Sequence, residues 1–408
     1  MSESPASSAP FRRQVFYLPG FDPREPETYW GLFRREARIT AGRRGLEIAV
    51  GEPLRAADGL SLDWNVRCET PAGSAETRYA LLRWDDIVRA RFPRANWRRL
   101  LDVPALWWRL WRSGYVGRFR REARRFSRII IGVHVVYLVL VLASLGAALG
   151  LAALIPAETA WRFLAAPPLA YALLAGLMKL TRGRPLYVPH LVDDTTFTHA
   201  HAGGAEAGMA PRLSAFAERI RAAEGQVNEI VVIGHSSSSF LGIEVLDRLL
   251  AADPGFGTRG TPVTFVSIGS VIPWLGLDER AEAFRAALGR FAQARAIGWL
   301  DIRAEWDWLS IHLRNPVAAC GLPRPPQVPP SEARPAVLRV NVRDLVTKEA
   351  LRTRRYNLFQ LHFQLLMSAV SETSFDYVAL VAGPEPVHAL VRRAAEDDDA
   401  PALPEEVV

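Results

Sequence analysis

Glu229-Ile230-Val231-Val232-Ile233-Gly234-His235-Ser236-Ser237-Ser238-Ser239-Phe240-Leu241-Gly242-Ile243-Glu244-Val245-Leu246 is the stretch whose reading decides the fold. It begins as a run of β-branched apolar residues, the composition of a strand buried on both faces. It turns at Gly234 and continues with Phe240, Ile243, Leu246 and Leu250 at helical spacing. A strand, a sharp turn carrying a serine, and a helix make the geometry of a nucleophile elbow. Gly234-His235-Ser236-Ser237-Ser238 follows the pattern G-x-S-x-G except at its last position, where serine stands for glycine. Small residues are needed there because strand and helix pass close together. The competing reading is a serine-rich loop after an ordinary strand.

The 408 residues suffice for one large domain with insertions or for two domains. The formal net charge of +7 is carried mainly by arginine, and the arginines cluster instead of coating the chain evenly. Cys68 and Cys320 are the only cysteines, which excludes a disulfide framework and a metal-knuckle spacing and suits reduced thiols in a cytosolic compartment. Met1 to Pro10 is Ser/Pro-rich with neither a basic n-region nor an apolar core, so it reads as a disordered leader. The tail from Ala394 is acidic and reads as disordered too.

Upstream, Val15-Phe16-Tyr17-Leu18 is a compact apolar strand that stops at Pro19-Gly20-Phe21 and is followed by a helix from about Thr28. Strand, glycine turn and helix make an α/β opening. Leu46 to Val50, Leu62 to Cys68 and Tyr79 to Trp84 read as further strands. Asp85 and Asp86 then read as caps of the next helix rather than as a catalytic pair.

Residues 89–128 interleave tryptophan with arginine: Trp97, Trp107, Trp108 and Trp111 stand among Arg98, Arg99, Arg109 and Arg112. Such a mixture suits single-stranded nucleic acid or a membrane surface. The next segment selects the membrane. Ile129 to Ala157 contains no Asp, Glu, Lys or Arg and is long enough to span. Phe163 to Met178 is apolar again but short, and Pro167-Pro168 leaves it open between a span and a re-entrant segment. Two strands of one sheet must lie on the same side of a bilayer, and arginine flanks stay inside. The segment 129–180 therefore reads as a transmembrane hairpin with both ends cytoplasmic. Its one histidine, His134, has no acidic neighbour in sequence and reads as a packed or hydrogen-bonded group.

Beyond the hairpin, Leu186 to Val192 reads as a strand or loop. Asp193, Asp194, His199 and His201 follow in a Thr/Gly-rich stretch whose spacing fits no metal motif. Arg212 to Glu224 is an amphipathic helix. Pro262 to Gly269, Trp299 to Trp306 and Ala336 to Val342 read as strands, Asp278 to Arg295 and Tyr356 to Val370 as helices, and Leu322 to Pro330 as a surface loop. This alternation requires a mostly parallel sheet with helical crossovers.

A serine becomes a nucleophile when a histidine takes its proton and a carboxylate holds that histidine. Ser236, Asp307 and His362 stand in that chain order, each after a predicted strand. With Leu18-Pro19-Gly20-Phe21, they make the chain resemble the α/β-hydrolase superfamily outside the hairpin and tails. Asn357-Leu358-Phe359-Gln360-Leu361-His362-Phe363-Gln364 looks like the histidine region of membrane-associated bacterial members. The resemblance implies helices on both faces of the sheet and an oxyanion hole made by the backbone N–H groups of Phe21, with Gly20 as its alternative, and Ser237. Rivals stay open: Ser237, Ser238 and Ser239 for the nucleophile, Asp301 for the acid, and His312 and His388 for the base. His235, adjacent to the nucleophile, is read as pointing away from it, and His362 could instead be a core histidine.

The expected organisation is a leader (1–10), the first part of the catalytic domain (11–88), the Arg/Trp-rich interfacial segment (89–128), the hairpin (129–180), the second catalytic part (181–393) and the tail (394–408). The expected function is a membrane-anchored serine hydrolase acting on an ester or thioester of lipid-like character. Membrane lipids are its expected partners, with no nucleic acid, cofactor or metal, and the bacterial inner membrane is its expected location. The alternatives are a non-catalytic membrane scaffold and an acyltransferase using the same triad.

Overall fold

The computed structural model describes residues 9–71, 73–156, 160–182, 187–323, 334–354, 357–371 and 375–397. Its centre is a nine-stranded mixed sheet. The strands are β1 (Phe11–Leu18), β2 (Glu47–Val50), β3 (Leu54–Arg55), β4 (Ser61–Thr70), β5 (Gly73–Leu82), β6 (Glu229–His235), β7 (Val263–Ile268), β8 (Ile297–Ala304) and β9 (Ala336–Val340). Their spatial order is β2-β4-β5-β1-β6-β7-β8-β9, with β3 also on β4. From β5 through β9 all neighbours in that order are parallel, whereas β4 runs antiparallel to β5, β2 and β3. The expected mostly parallel α/β sheet is therefore present, with an antiparallel margin.

Strand β6 is buried along its whole length, which is why it reads as one apolar run and not as an alternation. Its Ile230 and Val232 enter the core on one face, and Val231 and Ile233 enter the core on the other. Helices cover both faces. On the first lie α8 (Met209–Arg221), α9 (Ser238–Ala252) and α11 (Glu282–Gln293). On the second lie α1 (Glu27–Arg44) and the C-terminal helices Tyr377–Ala382 and Val387–Asp397.

Between β5 and β6 the chain leaves the sheet and forms α2 (Asp85–Arg91), α3 (Asn96–Arg112), α4 (Tyr115–Glu122), α5 (Arg124–Ala153), α6 (Ala166–Leu180) and α7 (Val188–Ala202). A short α10 (Ile272–Gly276) follows β7. The domain limit expected at residue 88 thus falls inside α2. The root of α5 packs on the core through Phe126, Ile130, Val133 and Tyr137, one face of the helix. Further along, Leu138, Val139, Leu142, Leu149 and Leu154 are exposed. Its 30 residues extend about 45 Å, more than the roughly 30 Å of a hydrocarbon core. Pro167 and Pro168 fall in the first turn of α6, where proline starts a helix instead of breaking it. Residues Arg124–Ala153 and Ala160–Leu180 form two helices long and apolar enough, by length and composition, to cross a membrane.

Several local readings are extended or changed. Asp85 and Asp86 occupy the first turn of α2, as expected of acids at a helix start, and in addition bond to arginines, Asp85 to Arg83 and Arg89 and Asp86 to Arg212. Of the stretch 186–192, read as strand or loop, Val188 to Val192 form the start of α7 and Leu186 lies outside the described residues. The histidine helix is one turn, Leu358–His362, continued as a 3-10 turn, Phe363–Leu366. Residues Ala394 and Ala395, assigned to the tail, are buried in the last helix. Most of the leader, the tail beyond 397 and most of the proline-rich loop lie outside the described residues.

Candidate active site

The order of the sheet reverses at β1: the chain passes from β1 to β5 on one side and returns to β6 on the other. A crevice forms outside the carboxyl ends of strands at such a switch point. Pro19-Gly20-Phe21 leaves β1 there and Ser236 leaves β6 beside it. The two turns touch, because a Cβ built on Gly20 would lie 2.9 Å from the Cβ of Ser236.

Ser236 sits between β6 and α9 with φ +56°, a left-handed conformation that costs a non-glycine residue about 1 kcal/mol or more. The surroundings hold it: its N–H donates to the Ile268 carbonyl at 2.9 Å, and its carbonyl accepts from the Ser239 N–H at 2.9 Å. The tight position of the elbow is Gly234, where a Cβ would come within 2.4 Å of the Ser238 carbonyl oxygen. Serine at 238, the departure from the motif, has a use. Its hydroxyl donates to the Pro19 carbonyl and ties the elbow to the β1 turn.

Asp307 follows β8 and His362 closes the short helix after Asn357. Nδ1 of His362 is 2.7 Å from Oδ2 of Asp307, whose Oδ1 accepts the Leu309 N–H at 3.0 Å. Nε2 of His362 has no hydrogen-bond partner among the described residues. Asp301 is committed elsewhere: it accepts from the Ser267 hydroxyl at 2.6 Å and from Arg303 Nε at 2.7 Å. His388 lies beside Glu229 at 3.2 Å, at the opposite end of β6 and about 20 Å of strand away from Ser236. Burial pushes the imidazole of His312 down to about 4.

His235 does not point away. Its ring stacks on that of His362, centroids 4.7 Å apart, with Phe363 on its edge. The abrupt turn at Ser236 decouples its side-chain direction from sequence adjacency. Burial, then the neighbouring His362, lowers its pKa well below the ordinary value, so it is a neutral ring against His362.

Ser236, His235 and His362 line one cavity of about 760 Å³, together with Phe21, Asp194 and Trp274. Of the two expected oxyanion donors, Phe21 lines the cavity, while Ser237 stands at the N-terminus of α9, where backbone N–H groups are free of intrahelical bonds. Asp194 was not legible as a member of this site. Its carboxyl accepts from the hydroxyls of Thr198 at 3.4 Å and Ser237 at 3.4–3.5 Å, and among the described residues no cation bonds to it. Burial pushes its pKa up to about 8, so it is mainly neutral at pH 7.

Asp193, His199 and His201 of α7 have protein partners. Arg99 grips Asp193 with two hydrogen bonds of 2.8 and 2.6 Å, His199 bonds to Asp278, and His201 bonds to Glu244. Among the described residues no group of three or more His, Cys, Asp or Glu side chains is placed to hold a metal. Arg99 and Arg109 face inward to Asp193 and Asp278, so part of the arginine-rich segment fastens α3 to the domain. The outer face of α3 exposes Trp97, Leu101, Trp108 and Trp111, with Arg98 and Arg112 over the Trp97 and Trp108 rings. His134 bonds to the Ile130 carbonyl at 2.8 Å, within its own helix.

No family model, no curated protein and no solved structure matches this chain.

Proposed function

We propose that the protein is a serine hydrolase of α/β-hydrolase-like fold, held at a membrane by α5 and α6 with its catalytic part on the cytoplasmic side. The observation that carries this reading is one arrangement. His362 is fixed through Nδ1 to Asp307, its Nε2 has no hydrogen-bond partner among the described residues, and the residue lines the same cavity as a serine at positive φ. In that arrangement Asp307 sets the tautomer, so that Nε2 is the proton acceptor.

The reaction follows from these roles. Ser236 Oγ attacks the carbonyl carbon of an ester or thioester and its proton passes to His362 Nε2. The tetrahedral oxyanion takes hydrogen bonds from the Phe21 and Ser237 backbone N–H groups. The C–O or C–S bond breaks, the departing alcohol or thiol receives the proton from His362, and an acyl-Ser236 remains. Water, deprotonated by His362, attacks that acyl group and returns free Ser236 and a carboxylic acid. Membrane attachment is supported by the length and composition of α5 and α6 and by the exposed tryptophans of α3.

The test is hydrolysis of a short aryl ester by the purified full-length chain. Turnover that falls by on the order of 10³-fold or more in Ser236→Ala is the expected result. A Ser236→Ala protein that hydrolyses at the wild-type rate contradicts the proposal.

A further inference from the structure

Both roots of the apolar hairpin belong to the wall of the cavity that holds Ser236. Phe126, in the first turn of α5, and Arg182, two residues beyond α6, line it alongside Phe92 and His190. Among the lining residues Arg24, Arg35 and Arg182 are exposed, so the mouth of the cavity includes the foot of α6. If α5 and α6 cross a bilayer, that mouth lies at the headgroup level, where an acyl chain reaches it without passing through water.

The charges at the mouth are not equivalent. Arg24 is paired with Asp22 at 2.5 Å, and Arg35 is paired with Glu36 at 2.8 Å. The guanidinium of Arg182 lies over the Phe92 ring at 5.2 Å and has no carboxylate partner among the described residues. Deeper in, the wall is apolar, with Phe21, Val271, Trp274, Leu309 and Phe359. Of the two acids on the wall, Asp22 is paired with Arg24, and Asp194 accepts from hydroxyls alone among the described residues. An unpaired guanidinium at the rim of an apolar pocket matches a ligand with an anionic head and an acyl tail, because its planar fork hydrogen-bonds phosphate or carboxylate oxygens in pairs.

We infer that the substrate is an anionic amphiphile taken from the bilayer, with its acyl chain in the apolar part of the cavity and its phosphate or carboxylate head against Arg182. This rests on the hydrolase reading for the chemistry, but the binding it asserts is measured without turnover. The experiment uses full-length Ser236→Ala protein in nanodiscs of zwitterionic lipid. The probes are a fluorescent lysophosphatidylglycerol and an uncharged monoacylglycerol of the same chain length. The anionic probe is expected to bind about tenfold more tightly, and adding Arg182→Gln is expected to erase that preference, with Arg182→Lys restoring part of it. Equal binding of the two probes, or a preference that survives Arg182→Gln, overturns the inference. An acyl-coenzyme A presented from water that binds more tightly than the lysolipid overturns the bilayer source. Aryl-ester turnover by the wild type is read separately: its absence sinks the hydrolase reading alone.

Discussion

Two histidine–carboxylate pairs in this molecule look alike and differ in what surrounds them. His362 with Asp307 and His199 with Asp278 both bond through Nδ1 at 2.7 Å, both rings are buried, and both have an Nε2 with no partner among the described residues. Asp278, however, is also gripped by Arg109 at 3.0 and 2.9 Å and accepts the Arg280 N–H. Against the desolvation that would raise its pKa, the hydrogen bonds of His199 and Arg109 hold its carboxyl far below the usual range. The His199 ring meets the Tyr115 ring edge-on at 4.9 Å. Among the described residues no arginine bonds to Asp307, and its histidine lines a cavity shared with a strained serine. A histidine–carboxylate pair is therefore not diagnostic by itself. What else binds the carboxylate, and whether the histidine lines a cavity, separates a fastening from a candidate catalytic dyad.

The largest expected effect breaks the first pair and spares the second. Asp307→Asn should lower kcat on an aryl ester by about 10³- to 10⁴-fold with little change in thermal stability, because the wrong tautomer of His362 is then favoured. Initial rates and a melting curve on the same preparation check this.

Asp194, a third buried carboxyl, to which no cation bonds among the described residues, extends the comparison through pH. An acid whose pKa is raised on folding takes up a proton as the chain folds. Its contribution is whole below the ordinary value of 3.8 and is lost as pH rises toward the folded value of about 8. Asp194→Asn should therefore stabilise the protein at pH 8, by at most about 5 kcal/mol, and give no gain at pH 4. Melting temperatures across that range decide it, and a gain that grows toward low pH has the wrong sign.

Asp278→Asn breaks the other pair, putting a neutral amide at a fully buried position that bonds to His199 and to the half-buried Arg109. It should lower stability by about 3 kcal/mol while kcat per folded molecule stays within about twofold of wild type. Denaturant titration alongside active-site titration separates the two quantities. The smallest expected effect concerns the elbow itself. Ser238→Ala removes the hydrogen bond to Pro19 and should cost about 1 kcal/mol.

Much of this site is legible in the chain, for identifiable reasons. A buried parallel strand requires an unbroken β-branched run, so β6 announces itself, and α9 follows with its apolar residues at helical spacing. Asp307 is separable from Asp301 because one follows β8 and the other lies within it. Helix α7 is not legible, since it has no apolar stripe. It is buried nearly all round and satisfies its polar side chains internally, with Thr195 bonding back to the Leu191 carbonyl at 2.6 Å and Thr196 to that of Asp193 at 2.8 Å. That concealed Asp194. His235 was hidden because a left-handed residue after it redirects the chain, and sequence neighbours carry no information about side-chain direction there. The serine at 238 breaks the elbow motif on paper. In the folded chain its acceptor, Pro19, is 219 residues away.

The central claim is that Ser236 is activated by His362 and that the neighbouring serines are not. Its most direct test is treatment of the full-length protein with a fluorophosphonate, followed by mapping of the adduct by peptide mass spectrometry. The account predicts a single adduct on Ser236 that disappears in His362→Ala. An adduct on Ser237, Ser238 or Ser239, or labelling of Ser236 that persists at the wild-type rate in His362→Ala, would contradict it.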